Sequence, residues 1–124
     1  MKVLILAGDV ELEAELYDTP TAEKIWDALP ISSAVSRWGG EIYFPAGVEA
    51  EPEEDAREEQ EPGNICYWCA GRAVAIFFGR TPASTSDLPR AIEPVNLIGR
   101  ISGDPSVLEN VEEGERISML RLSP

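Results

Sequence analysis

The stretch Ile65-Cys66-Tyr67-Trp68-Cys69-Ala70-Gly71-Arg72-Ala73-Val74-Ala75-Ile76-Phe77-Phe78 decides the fold class. Two runs, 65–70 and 72–78, flank Gly71, and both are rich in β-branched and aromatic residues. Such residues favour a pleated, half-buried surface. In the second run Val74, Ile76 and Phe78 share one face, and Ala73, Ala75 and Phe77 share the other. This is the two-residue period of a strand. The small alanines on one face predict close packing of the sheet there.

The same period recurs on both sides of this stretch. Val3, Ile5 and Ala7 alternate with Leu4 and Leu6, a strand apolar on both faces. This opening run is too short for the apolar region of a signal peptide, and Gly8, Asp9 and Glu11 follow at once. Gly8-Asp9 reads as a hairpin turn. In 11–17 the residues Leu12, Ala14 and Leu16 face inward and three glutamates face water. Thr19 is placed to cap a helix with Pro20 at its first position. Ala22, Ile25, Trp26 and Leu29 then fall on one helical face, and Pro30 ends it. Ile31, Ser33 and Val35 begin another strand. Trp38-Gly39-Gly40 breaks it, with Gly40 marking a bulge or a close backbone approach, before a short strand over 41–44. Residues 81–89 read as a loop, and Val95 to Ile101 carries a further strand. Asp104-Pro105 opens a short helix, and 115–122 forms the last strand. Short strands at regular spacing with two short helices predict a mainly β protein, a closed barrel of about eight strands in one domain over residues 1–124.

Charge narrows the function. The chain of 124 residues has a formal net charge of −13 and no histidine. Binding phosphates requires clustered Lys and Arg, so nucleic acid and anionic membrane surfaces are not expected partners. Without histidine there is no histidine-based triad and no imidazole metal ligand. No window approaches the length of a membrane-spanning helix, and a soluble cytoplasmic protein is expected. Residues 49–61 hold eight acidic residues and one arginine, a net −7 that leaves −6 for the rest. The segment 47–61 reads as a long polar loop or, preferably, a solvated hairpin turning near Pro52. It lacks the ligand spacing of a calcium-binding loop. A basic protein partner is the natural counterpart of such a face.

Cys66-Tyr67-Trp68-Cys69 has redox-motif spacing but lies on a strand, where residues three apart point to opposite faces. Buried, inert thiols are the expectation; a zinc shared by a dimer or a labile disulfide is the alternative. No metal site and no cofactor are expected.

Three phrases resemble the cyclophilins. They are Glu15-Leu16-Tyr17-Asp18-Thr19-Pro20-Thr21-Ala22-Glu23 at the strand-to-helix junction, Ala75-Ile76-Phe77-Phe78, and Asn96-Leu97-Ile98-Gly99-Arg100-Ile101. A closer resemblance is to compact prokaryotic cyclophilin-like proteins of unknown function. It rests on Trp38-Gly39-Gly40-Glu41-Ile42-Tyr43-Phe44, Tyr67-Trp68, Phe77-Phe78-Gly79-Arg80-Thr81-Pro82 and Pro94-Val95-Asn96-Leu97-Ile98-Gly99. The resemblance implies an apolar groove for a proline-containing peptide or small ligand. It implies Arg37 as the catalytic arginine of a peptidyl-prolyl isomerase and Phe78 as the pocket floor, with Trp38, Tyr43, Phe44 and Ile76 as further lining. Ile76 stands where the resemblance implies a glutamine, and residues 81–94 hold neither tryptophan nor histidine. Weak or lost isomerase activity is therefore expected. The alternative is a non-catalytic interaction module that acts through Glu53, Glu54 and Asp55.

Overall fold

Strand β1 (Lys2–Ala7) turns at Gly8-Asp9 and pairs antiparallel with β2 (Val10–Leu16). Val3, Ile5, Ala7, Ala14 and Leu16 are buried, while Leu12 is only partly covered. The computed structural model describes residues 1–122; the last two residues of the expected 1–124 domain lie outside the described residues. Helix α1 (Pro20–Ala28) follows, with the Thr19 hydroxyl accepting from the Ala22 amide, a cap contributing about 1 kcal/mol. Ala22, Ile25 and Leu29 are its buried face and Trp26 is half-buried. The Leu29–Pro30 bond is cis.

The remaining strands are β3 (Ile31–Ala34), β4 (Ser36–Arg37), β5 (Glu41–Pro45), β6 (Arg57–Glu59), β7 (Asn64–Trp68), β8 (Ala73–Phe77), β9 (Arg90–Ile101) and β10 (Arg116–Arg121). A 3₁₀ helix over Pro105–Asn110 is capped by the Asp104 carboxylate, which accepts from the Ser106 amide. The pairing order is β3-β10-β1-β2-β9-β7-β8-β5-β4, and β6 pairs with β9 alone. Every pairing is antiparallel.

The fold is mainly β, but the closed barrel of about eight strands is corrected on two counts. Among the described residues ten strands form, and no ladder joins the two ends of the sheet. The ends, β3 and β4, are consecutive in the chain with Val35 between them. Val35 exchanges backbone hydrogen bonds with the 114–115 turn, donating to Glu115 O and accepting from the Gly114 amide. The chain itself, rather than a ladder, bridges the two edges.

Two faces of this sheet are covered. Val74, Ile76 and Phe78 join Ile42, Phe44 and Ile65 in the large interior core. Ala75 and Phe77 lie on the opposite face in a second, smaller core with Cys66, Ala91 and Val95. A fully buried aliphatic or phenylalanine side chain contributes about 1.5–3 kcal/mol, so both faces matter to stability.

The acidic segment is not a solvated hairpin. β6 pairs with β9, and residues 46–56 form a strap docked on the fold. Ala46, Val48 and Ala50 pack against the large core. Tyr67 donates its hydroxyl to Val48 O, and Asn96 Nδ2 donates to Glu51 O at 3.0 Å. The Glu53 amide donates to Asn96 Oδ1 at 2.8 Å, and the Glu53 carboxylate accepts from the Thr21 amide and hydroxyl. That carboxylate sits at the N-terminus of α1, where the helix dipole favours negative charge. Backbone groups that a free loop would leave to water are thus paired by side chains of α1, β7 and β9.

Among the described residues, no helix is long and apolar enough to cross a membrane.

Candidate functional site

The site begins at a backbone crossing. A Cβ on Gly40 would stand 2.2 Å from the Gly79 carbonyl carbon, so only glycine fits. Gly40 O accepts from the amides of Phe78 (2.8 Å) and Gly79 (3.1 Å), and Gly40 N donates to Arg80 O (2.7 Å). This clamp starts β5 in register with β8, with Glu41 opposite Phe77 and Tyr43 opposite Ala75. Alternation along β5 then sends Ile42 and Phe44 into the large core and Glu41 and Tyr43 to the other face.

On that face the small residues of β8 make room. Tyr43 of β5 is in register with Ala75, and Trp68 of β7 with Ala73. The short alanine side chains let the two aromatics meet across β8. Their ring centroids are 6.1 Å apart and their planes perpendicular, a favourable edge-to-face arrangement. Trp38 from the turn before β5 adds a third aromatic wall, and Ala91, Ile92 and Val95 of β9 supply the rest. Together they line a cavity of about 110 Å³ that opens to solvent on one side. Ile92 stands at its rim, 64% exposed. Trp68 is steadied from behind, its indole N–H donating to the Glu93 carboxylate.

Glu41 is the one charged residue in this lining, and it is 7% exposed. Burial is what perturbs its acidity, pushing the carboxyl from the ordinary 4.5 up to about 8. No cation of the described residues counters that effect. Every fully enclosed side-chain polar atom among the described residues has a hydrogen-bond partner. The Glu41 oxygens have none, so they are atoms that the cavity exposes. A carboxyl held among aromatics can act as a neutral hydrogen-bond donor or, once ionised, as an anion awaiting a partner.

The family model described as Cyclophilin-like matches residues 1–120. The chain belongs to the cyclophilin-like family. A similar solved structure is the solution structure of a hypothetical protein from Archaeoglobus fulgidus, 39% identical, with a TM-score of 0.81. The match covers 98% of this chain and 95% of that one. The comparison with curated proteins finds no match.

In this cyclophilin-like chain the residues singled out from sequence separate into three places. Trp38 and Tyr43 line the outer cavity. Phe44 and Ile76 are fully buried in the large core and reach no surface. Arg37 and Phe78 form a stacked pair elsewhere, the guanidinium carbon 5.0 Å from the ring centroid. Arg37 Nε donates to Gly39 O, Nη1 to Glu109 O and Val111 O, and Nη2 to the Glu109 carboxylate, each at 2.9 Å. Four of its N–H groups are thereby committed, tying the 3₁₀ helix to the start of β5.

Glu41, Trp68 and Ile92 were not among the residues singled out. Glu41 shares the outward face of β5 with Tyr43, and that alternation was the available signal. That β9 folds over this face to make a cavity was not readable from the pattern.

The two cysteines are free and point apart. Cys66 lies in the second core and donates to Gln60 Oε1, whereas Cys69 packs toward the large core and accepts from Asn96. Burial raises both thiol pKa values, strongly for Cys66, which keeps them protonated.

Proposed function

We propose that this cyclophilin-like protein is a binding module with weak or lost peptidyl-prolyl isomerase activity. Its outer cavity takes one side-chain-sized group of a peptide or small ligand, with proline-containing peptides the first class to test. The observation that carries the reading is the cavity itself, three aromatics and a carboxyl around about 110 Å³. Drug-sized ligands occupy roughly 300–1,000 Å³, and a cavity of about 150 Å³ admits benzene, so a single ring or side chain is the matching scale.

The state of Arg37 supports loss of catalysis. Amide rotation carries a barrier of about 18–20 kcal/mol, and an isomerase must bind the twisted amide better than the planar one. An arginine serves that purpose when its donors are free to reach the amide. Here they point at carbonyls and a carboxylate of the protein's own chain. The alternative, contact with a basic partner through the acidic face, draws on Glu54 and Asp55, which are exposed; Glu53 is already engaged with Thr21.

The test is a titration of Xaa-Pro peptides followed by NMR, with cis–trans exchange measured in the same samples. Saturable binding that is lost in Tyr43→Ala, with little exchange enhancement, is the expected result. Efficient exchange that collapses in Arg37→Ala and survives in Tyr43→Ala would overturn the proposal.

A further inference from the structure

We propose that the group taken by the outer cavity is a cation, an alkylated ammonium head held between Trp38, Tyr43 and Trp68 above the Glu41 carboxylate. This inference rests on the binding reading above and names the chemical class of its ligand.

Three observations converge. First, aromatic faces attract cations through their quadrupoles, and cages of aromatics are a general solution for alkylated ammonium groups. Tyr43 and Trp68 stand at right angles, and Trp38 supplies a third wall. Second, a carboxylate in a desolvated site needs a partner, and among the described residues none pairs with the Glu41 side chain. Among the described residues, no lysine or arginine lines the cavity. Third, the chain's net charge of −13 raises the local concentration of cations around it. An anionic ligand would meet repulsion from Glu93 behind Trp68 and, once it is ionised, from Glu41.

The proton balance gives a signature. Burial leaves Glu41 half protonated near pH 8 and largely protonated well below it when no cation is bound. A cation binds the ionised form, so one proton leaves Glu41 for solvent on binding. The other charged or titratable groups around the site are Tyr43 on β5, Cys66 on β7, Glu93 on β9, Arg90 of β9 paired with Glu58, and Arg80 facing Asp87. Burial pushes the Cys66 thiol up, which keeps it protonated and neutral. Glu41 is the carboxyl in the cavity lining itself, so its ionisation is the one coupled directly to a bound cation.

The experiment titrates the intact protein with choline, with its neutral isostere in which carbon replaces nitrogen, and with N-acetylprolinamide. Indole and amide shifts are read at several pH values. The proposal predicts that choline binds at least ten-fold tighter than the isostere. Its affinity should rise about ten-fold from pH 6 to pH 7 and level off above about pH 9. Glu41→Gln, nearly isosteric and checked for folding by its amide spectrum, should remove both the preference and the pH dependence. Should that variant not fold, the isostere comparison and the wild-type pH profile still decide. Binding of the isostere or N-acetylprolinamide as tightly as choline would overturn the cation inference and leave the binding reading standing. Absence of binding by all three would overturn both.

Discussion

The Arg37 guanidinium lies over the Phe78 ring, 5.0 Å from its centroid, with its N–H groups on the carbonyls of Gly39, Glu109 and Val111. One side chain thus joins β4, the turn before β5 and the end of the 3₁₀ helix. This is the geometry of a structural arginine.

Arg37→Ala should therefore lower stability. Charge-assisted hydrogen bonds are worth about 1.5–3 kcal/mol each in buried settings, and those made by this partly exposed side chain less. A total loss of about 2–3 kcal/mol is expected, read as a lower urea midpoint at unchanged m-value. Binding at the outer cavity should persist in the folded variant.

Gly40→Ala should be more damaging than its single methyl implies. The added carbon would meet the Gly79 backbone, which cannot swing aside as a flexible side chain could. Overpacking typically costs about 1–3 kcal/mol, and a backbone collision falls at the upper end or beyond. Thermal unfolding should show a large drop in Tm. The amides of Phe78 and Gly79 should exchange with solvent faster, since both donate to Gly40 O.

Asn96→Leu should release the strap. Asn96 links Thr21, Glu51 and Glu53 through both of its amide ends. Its loss leaves the Glu53 amide without its acceptor and Glu51 O without its donor, at about 1–3 kcal/mol for each buried group stranded. A glutamate-specific protease should then cut within 49–54 well before the rest of the folded protein, and faster than in the parent.

Glu41 makes stability depend on pH with a definite sign. Its folded pKa, about 8, lies above the unfolded value near 4.5, so the folded state binds the proton more tightly. The stabilisation is complete below about pH 4.5 and is lost as pH rises to about 8. Within that window each pH unit removes at most about 1.4 kcal/mol. Urea titrations of the parent and of Glu41→Gln across pH 5–8 should diverge, the parent weakening relative to the variant as pH rises. Parallel curves would refute the raised pKa.

What could be read from sequence and what could not divide along physical lines. The two faces of β8 were legible because alternation is local: Val74 and Ile76 enter one core, Ala75 and Phe77 the other. Helix α1 was legible because Thr19 and Pro20 cap it within one turn. The close approach at Gly40 was legible as one of two readings of a glycine entering a strand. The strap was not, because its anchors, Tyr67 and Asn96, lie far along the chain and a run of carboxylates masks the alternating Ala46, Val48 and Ala50. Nor was the open pairing order, since whether β3 and β4 form a ladder depends on contacts between distant segments. The cavity was half legible: Trp38 and Tyr43 were singled out, but Glu41 reads as an ordinary polar strand residue until β9 is laid across it.

We propose that the outer cavity, and not the Arg37–Phe78 face, is where this protein binds. The most direct measurement is the map of amide and indole chemical shifts on titration with choline, N-acetylprolinamide and Xaa-Pro peptides. The largest changes are expected at the Trp38 and Trp68 indole N–H groups and at the amides of Glu41, Tyr43 and Ile92. Largest changes at Arg37, Phe78 and Glu109, with the cavity residues unmoved, would contradict it.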